Sequence, residues 1–318
     1  MSGKSALVLG ATGGIGGEVA RTLAARGWRV RALHRRTQTP ADAGLDWIPG
    51  DAMSADDVLR AAEGASLIVH AVNPPGYRRW GELVLPMLEN SIAAARQIRA
   101  RILLPGTVYN YGPDALPLPD EASPQNPLTA KGKIRARMEA RLRQAAVAGE
   151  AQALIVRAGD YFGPRAGNNW FSQVLVKSGR RPASITNPGR PGIGHQWAYL
   201  PDVAETMARL AEAEDLQEFE TFHMEGQWDH DGTQIIEAIR AAVGDPALSV
   251  RALPWWAVRL AAPFVPFCRE VAEVEYLWRQ PVRLGNARLV ARLGGEPRTP
   301  LNQAVEETLI GLGCLDGF

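Results

Sequence analysis

The sequence predicts an α/β fold, a doubly wound parallel sheet followed by a smaller, mostly helical C-terminal substrate region. Three observations carry this. Strand-like and helix-like segments alternate through the first half, a glycine-rich turn joins the first strand to the first helix, and after about residue 159 the pattern loosens into turn-rich loops and helices. At 318 residues the chain has ample interior for a core, and its composition is that of an ordinary globular protein, 46% hydrophobic and 22% charged. A formal net charge of +1 argues against a broad electrostatic grip on nucleic acid. Cys268 and Cys314 are too few for a disulfide framework and have no metal-ligand spacing, so no metal and a reducing cytoplasm are expected.

In chain order, residues 6–10 form a short apolar run that reads as the first strand, too brief for a signal peptide. Residues 17–26 have helical periodicity closed by Gly27, and residues 28–33 read as a second strand. Residues 66–71 give a third strand, a long helix runs from about 80 to 100, and residues 101–104 give a fourth strand. A proline-rich loop (113–127) leads to a helix over about 130–148, with Thr129 placed to cap it, before residues 153–156 return as a strand. The division expected is a dinucleotide-binding unit over 1–165 and a substrate-binding region over 166–318, with returns to the sheet around 195–225. The most apolar late stretch, 253–268, is broken by Arg259 and three prolines and is too short for a membrane span; it reads as a buried helix or substrate-pocket wall ahead of a membrane-surface anchor. Asp202 reads as a helix N-cap.

The turn after the first strand is Gly10-Ala11-Thr12-Gly13-Gly14-Ile15-Gly16. Glycines there let the backbone approach a pyrophosphate, and the free N–H groups of a helix N-terminus favour its negative charge. A Rossmann-type dinucleotide site is therefore expected. The second strand ends in His34-Arg35-Arg36 rather than in the acidic residue that would bind a ribose 2′-hydroxyl. That cationic run suits a 2′-phosphate, so NADP(H) is expected ahead of NAD(H). Asp51 and Ala52 are placed beside the adenine, and Ala71, Val72 and Asn73 beside the cofactor ribose.

With GxxGxxG at Gly10, Gly13 and Gly16, Val108-Tyr109 after the fourth strand, and Arg157-Ala158-Gly159-Asp160-Tyr161-Phe162-Gly163-Pro164, the chain resembles the extended short-chain dehydrogenase/reductase superfamily, in its epimerase/dehydratase branch. The resemblance implies a hydride-transfer fold and makes a homodimer through helices flanking the site one option. The catalytic positions depart from it. Pro105 stands where the family has Ser or Thr, and Lys131 and Arg135 stand where it has Tyr-x-x-x-Lys. The helix Lys131-Gly132-Lys133-Ile134-Arg135 is similar to that of isoflavone-reductase-like enzymes, in which a lysine replaces the tyrosine. Lys131 and Arg135 share one helix face.

A lysine in an apolar pocket can exchange a proton with a substrate oxygen, while Arg135 can hold only a ribose or phosphate. An equally weighted reading makes Lys131 part of a solvated basic face with Lys133, Arg135, Arg137, Arg141 and Arg143. Thr107 and Tyr109 are further candidates for the missing hydroxyl. On the substrate side Asn168, Asn169, Trp170 and His195 lie in loops expected to face the cleft, and Arg165, Arg181 and Arg190 are available for a diphosphate. The leading reading is an NADP(H)-dependent oxidoreductase acting on a carbonyl of a small, fairly apolar molecule. The alternatives are a nucleotide-sugar epimerase or dehydratase with altered catalytic groups, and a non-catalytic NADP(H)-binding redox sensor or assembly factor.

Overall fold

The structure, a computed structural model, describes residues 4–35, 44–74, 79–167 and 169–316. Its first half runs β1 (Ser5–Leu9), α1 (Gly14–Ala25), β2 (Arg29–His34), β3 (Asp46–Pro49), α2 (Ala55–Ala62), β4 (Leu67–His70), α3 (Trp80–Ile98), β5 (Arg101–Thr107), α4 (Ala130–Val147), β6 (Gln152–Ala158) and β7 (Asp160–Phe162). There follow β8 (Ile185–Asn187), β9 (His195–Tyr199), α5 (Leu200–Ala211), β10 (Phe219–His223), β11 (Gln227–Asp229), α6 (Gln234–Val243) and β12 (Val250–Ala252). The C-terminal helices are α7 (Trp255–Ala261), α8 (Pro266–Glu273), α9 (Ala287–Leu293) and α10 (Leu301–Gly311).

Seven parallel strands form the central sheet in the order β10-β6-β5-β4-β1-β2-β3. Strand direction of growth reverses between β1 and β4, and a crevice opens beyond their carboxyl ends, where ligands bind in such sheets. The inner strands β1, β4, β5 and β6 are buried on both faces, which is why they read as apolar runs rather than as alternation. Leu7 and Leu9 of β1 pack with Val84, Leu88 and Ile92 of α3 and Met138 and Leu142 of α4. Ala6 and Val8, one residue out of phase, pack on the other face with Val19 and Leu23 of α1 and Val203 and Met207 of α5. A third core joins Phe162, Phe171, Trp197 and Trp278 to Ile239 of α6 and Val305 of α10. Two small sheets, β11-β9-β7 and β12-β8, sit with it.

Several expectations shift. Helix α1 begins at Gly14, three residues early, because the loop glycines themselves supply its first turn. Gly27 does follow its end with φ +83°, and the Thr129 hydroxyl accepts a hydrogen bond from Gly132 N. Asp202 is not the cap of α5: Tyr199 is, and the Asp202 carboxylate instead accepts from Thr299 N and Oγ1. The stretch 253–268 is not a buried helix. It makes α7 and the start of α8, and α7 buries none of its residues.

Candidate active site

One open cleft of about 1310 Å³ runs along the carboxyl edge of the sheet, floored by the glycine loop and roofed by α8. The loop is a packing solution as much as a binding one. Gly10 adopts φ +89°, and a Cβ there would lie 2.5 Å from Ala71 O; a Cβ on Gly16 would lie 2.2 Å from Gly10 O. Strand β4 and the first turn of α1 therefore close on the loop only because those side chains are absent. Helix α1 has no side-chain cap and no acidic residue in its first turn, so its N-terminus is electrostatically open to an anion in the cleft. These features fit a dinucleotide pyrophosphate.

Gly10, Thr12, Gly13, Gly14 and Ile15 line the cleft, with Gly16 packed beneath them. At one end of the cleft lie His34, Arg35, Asp51 and Ala52, and across it Ala71, Val72 and Asn73. His34 stands edge-on to Trp47, and Asn73 Oδ1 accepts the indole N–H of Trp80. Thr107, Tyr109, Lys131 and Arg135 line the opposite end, with Asn169 and Trp170. Arg36 and Asn168 lie outside the described residues. His195 does not line this cleft. Its ring stacks on Trp278 with centroids 3.7 Å apart and borders a small separate cavity.

Lys131 is 5% exposed, so it does not belong to a solvated face. Nor is its pocket apolar: Nζ lies 2.9 Å from Glu270 Oε2 and donates to Glu270 O, while its backbone N–H donates to Glu273 Oε1. Two carboxylates of α8 thus grip the N-terminus of α4, where the helix dipole favours negative charge. One turn on, Arg135 reaches Pro105 O at 3.4 Å and stacks over Trp80, and its buried Nε has no hydrogen-bond partner.

Tyr109 and His195 were named from the sequence, but Asp160, which ties them together, was not named as a site residue, nor were Tyr161 and His70. Tyr109 Oη donates to Asp160 Oδ1 at 3.2 Å, and Asp160 Oδ2 lies 2.9 Å from His195 Nε2. A cleft-facing hydroxyl, a carboxylate and an imidazole therefore form one chain. Tyr161 also lines the cleft, donates to Gly106 O, and is pushed up to about 12 by burial, so it stays a neutral phenol at physiological pH. His70, at the end of β4, is held down to about 3 by burial and by the nearby Arg135 charge; its Nδ1 meets Ser91 Oγ at 2.8 Å. Asp160 and His195 are thirty-five residues apart, and the only sequence signal was that both flank turn-rich loops. Among the described residues no cluster of three or more His, Cys, Asp or Glu could hold a metal ion.

The model of the NAD dependent epimerase/dehydratase family matches residues 6–224, more than half of the chain. The chain belongs to that family. Its solved structural neighbours agree at the level of fold. The UDP-N-acetylglucosamine 4-epimerase from Bacillus cereus superposes with a TM-score of 0.75 at 15% identity, covering 99% of this chain and 98% of that one. The Thermus thermophilus UDP-glucose 4-epimerase in complex with NAD gives 0.73 at 19% identity, covering 97% and 98%. MoeE5 in complex with UDP-glucose and NAD gives 0.72 at 16% identity, also covering 97% and 98%. No curated protein matches the chain significantly. This family member thus has the parallel sheet, glycine loop and cleft described above, with Lys131 and Arg135 both lining that cleft.

Proposed function

We propose that this chain is a nicotinamide-dinucleotide enzyme of the epimerase/dehydratase type, acting at an oxygen-bearing carbon of a nucleotide-sugar-like substrate with a proton-handling set of its own. The observation that carries the reading is the Tyr109–Asp160–His195 chain, whose hydroxyl end lines the same cleft as the glycine loop. The neighbours named above, one solved with UDP-glucose and NAD and one a UDP-glucose 4-epimerase solved with NAD, support the substrate class. Bound nicotinamide would supply the hydride donor or acceptor. Tyr109 Oη takes the proton of the substrate hydroxyl as it passes its own along the existing hydrogen bond to Asp160, which His195 anchors, and the reverse transfer returns it. Lys131, held by Glu270, and Arg135 place positive charge beside the developing oxyanion. Arg35, at the end of β2, favours NADP(H) over NAD(H) by offering a guanidinium to a 2′-phosphate.

A second reading, reduction of a carbonyl on a small apolar molecule, is favoured by the walls of the cleft. Trp80, Leu83, Met87, Trp170, Val174 and Phe267 line it, whereas of the three arginines named for a diphosphate only Arg165 does, and it pairs with Glu18. Arg181 instead donates to Val243 O.

The two readings separate in one assay series: purified protein with NADPH or NAD against UDP-hexoses and against aromatic and aliphatic carbonyls, followed by nicotinamide absorbance and by sugar analysis. Whichever class turns over, Tyr109→Phe is expected to lower kcat by about 10²-fold or more. Turnover that survives Tyr109→Phe and falls with Lys131→Met would move the proton role to Lys131. Cofactor binding without turnover of any substrate would leave a non-catalytic sensor.

A further inference from the structure

The roof of the cleft has an outer surface that the fold leaves uncovered. Helices α7 and α8 pack on one another as a short hairpin joined through Pro263-Phe264-Val265. Its root is fixed: Trp255 Nε1 donates to Pro188 O and its ring lies 6.1 Å from Trp170. Beyond that root the hairpin points its apolar side chains outward. Phe264 is 84% exposed, Leu260 69% and Trp256 67%, with Val265 and Phe267 also exposed. A chain that could have buried these rings against α8 instead presents five large apolar residues within twelve positions.

The charges around them are sorted by sign. Between residues 250 and 280 every exposed charged residue is an arginine: Arg251, Arg259, Arg269 and Arg279. The acidic residues of the same stretch are turned inward. Glu270 holds Lys131, Glu273 accepts from Lys131 N, and Glu275 is buried beneath Arg259 and Arg279. An apolar tip flanked by outward arginines, on a hairpin whose helices are too short to cross a bilayer, has the chemistry of an element that lies in a lipid interface.

We propose that the α7–α8 hairpin docks this protein on an anionic lipid surface, with Trp256, Leu260, Phe264 and Phe267 entering the acyl boundary and Arg251, Arg259 and Arg269 meeting the headgroups. A second copy of the chain is a poorer occupant, because a two-fold contact would set arginines of one copy against those of the other. Phe267 is both exposed and a lining residue of the cleft. Docking would therefore bring the mouth of the site to the interface. This inference does not depend on the reaction assigned above.

The test is co-sedimentation of the full chain with vesicles of phosphatidylcholine, with and without phosphatidylglycerol, alongside tryptophan emission. Partition into the phosphatidylglycerol vesicles with a blue shift is expected, falling by about tenfold or more in Trp256→Ser/Phe264→Ser, since both rings then leave the apolar tip. Arg251→Gln/Arg269→Gln should weaken it while leaving the apolar tip intact. Unchanged thermal melting and nicotinamide binding in the variants would exclude misfolding. Absence of partition, partition indifferent to lipid charge or to both variants, or a dimer in sedimentation velocity that Trp256→Ser/Phe264→Ser converts to monomer would each overturn the proposal.

Discussion

At the scale of single residues, two positions make sharp demands. Gly16 has no room for a side chain, because the oxygen a Cβ would strike belongs to backbone of the loop and cannot rotate away. Gly16→Ala is expected to cost about 2 kcal/mol or more in urea unfolding and to weaken nicotinamide binding by moving the loop off β4. Wild-type stability in that variant would mean the loop is slack. His70 and His223 supply the second demand. Burial is the larger cause for each, reinforced by Arg135 beside His70 and by Arg157 beside His223, and both are held down to about 3. The unfolded chain takes up these two protons near the ordinary histidine value of about 6.5, whereas the folded protein refuses them until about 3. Stability contributed by the neutral rings is therefore intact above about pH 6.5 and lost as pH falls toward 3, at up to about 1.4 kcal/mol per histidine per pH unit. His70→Gln should flatten that acid limb in a pH series of denaturant midpoints. An unchanged slope would contradict the assignment.

Elements take their positions from polar groups that a hydrophobic pattern cannot announce. Helix α4 is a highly charged sequence, yet it carries Lys131 and Arg135 into the cleft because buried contacts hold it at both ends of its inner face. At its start are Glu270 and Glu273. Farther along, Glu139 pairs with Arg157 of β6 at 2.5 Å, and Arg157 in turn donates to Tyr111 Oη, which lies 2.7 Å from His223 Nε2. Arg157 is wholly buried, so removing its partner leaves an uncompensated charge. Glu139→Gln is expected to destabilise by about 3–5 kcal/mol, measured by urea denaturation. A loss below about 1 kcal/mol would show that water reaches the cluster. The arginine-rich run of α4 read equally well as a solvated face, since which arginines turn inward depends on carboxylates supplied by distant segments. The hairpin α7–α8 misled in the opposite sense: its rings signalled burial, but among the described residues no other element covers them.

Over the whole molecule, what was legible in the sequence is what local pattern determines. The glycine loop, the strand–helix alternation and the Thr129 cap each rest on neighbours in the chain, and the parallel sheet with its crevice follows from them. The Tyr109–Asp160–His195 chain was not legible, because its members meet only when β7 and β9 pair beside the loop after β5. His195 was accordingly expected in the cleft and lies behind Asp160 instead. The function proposed above puts a nicotinamide dinucleotide in this cleft and has Arg35 favour the phosphorylated form. Titrating the purified protein with NADPH and NADH, by nicotinamide fluorescence, and repeating both with Arg35→Ala tests it most directly. Saturable binding is expected, tighter for NADPH, with Arg35→Ala weakening NADPH by about tenfold and leaving NADH nearly unchanged. Saturation by neither cofactor would contradict it.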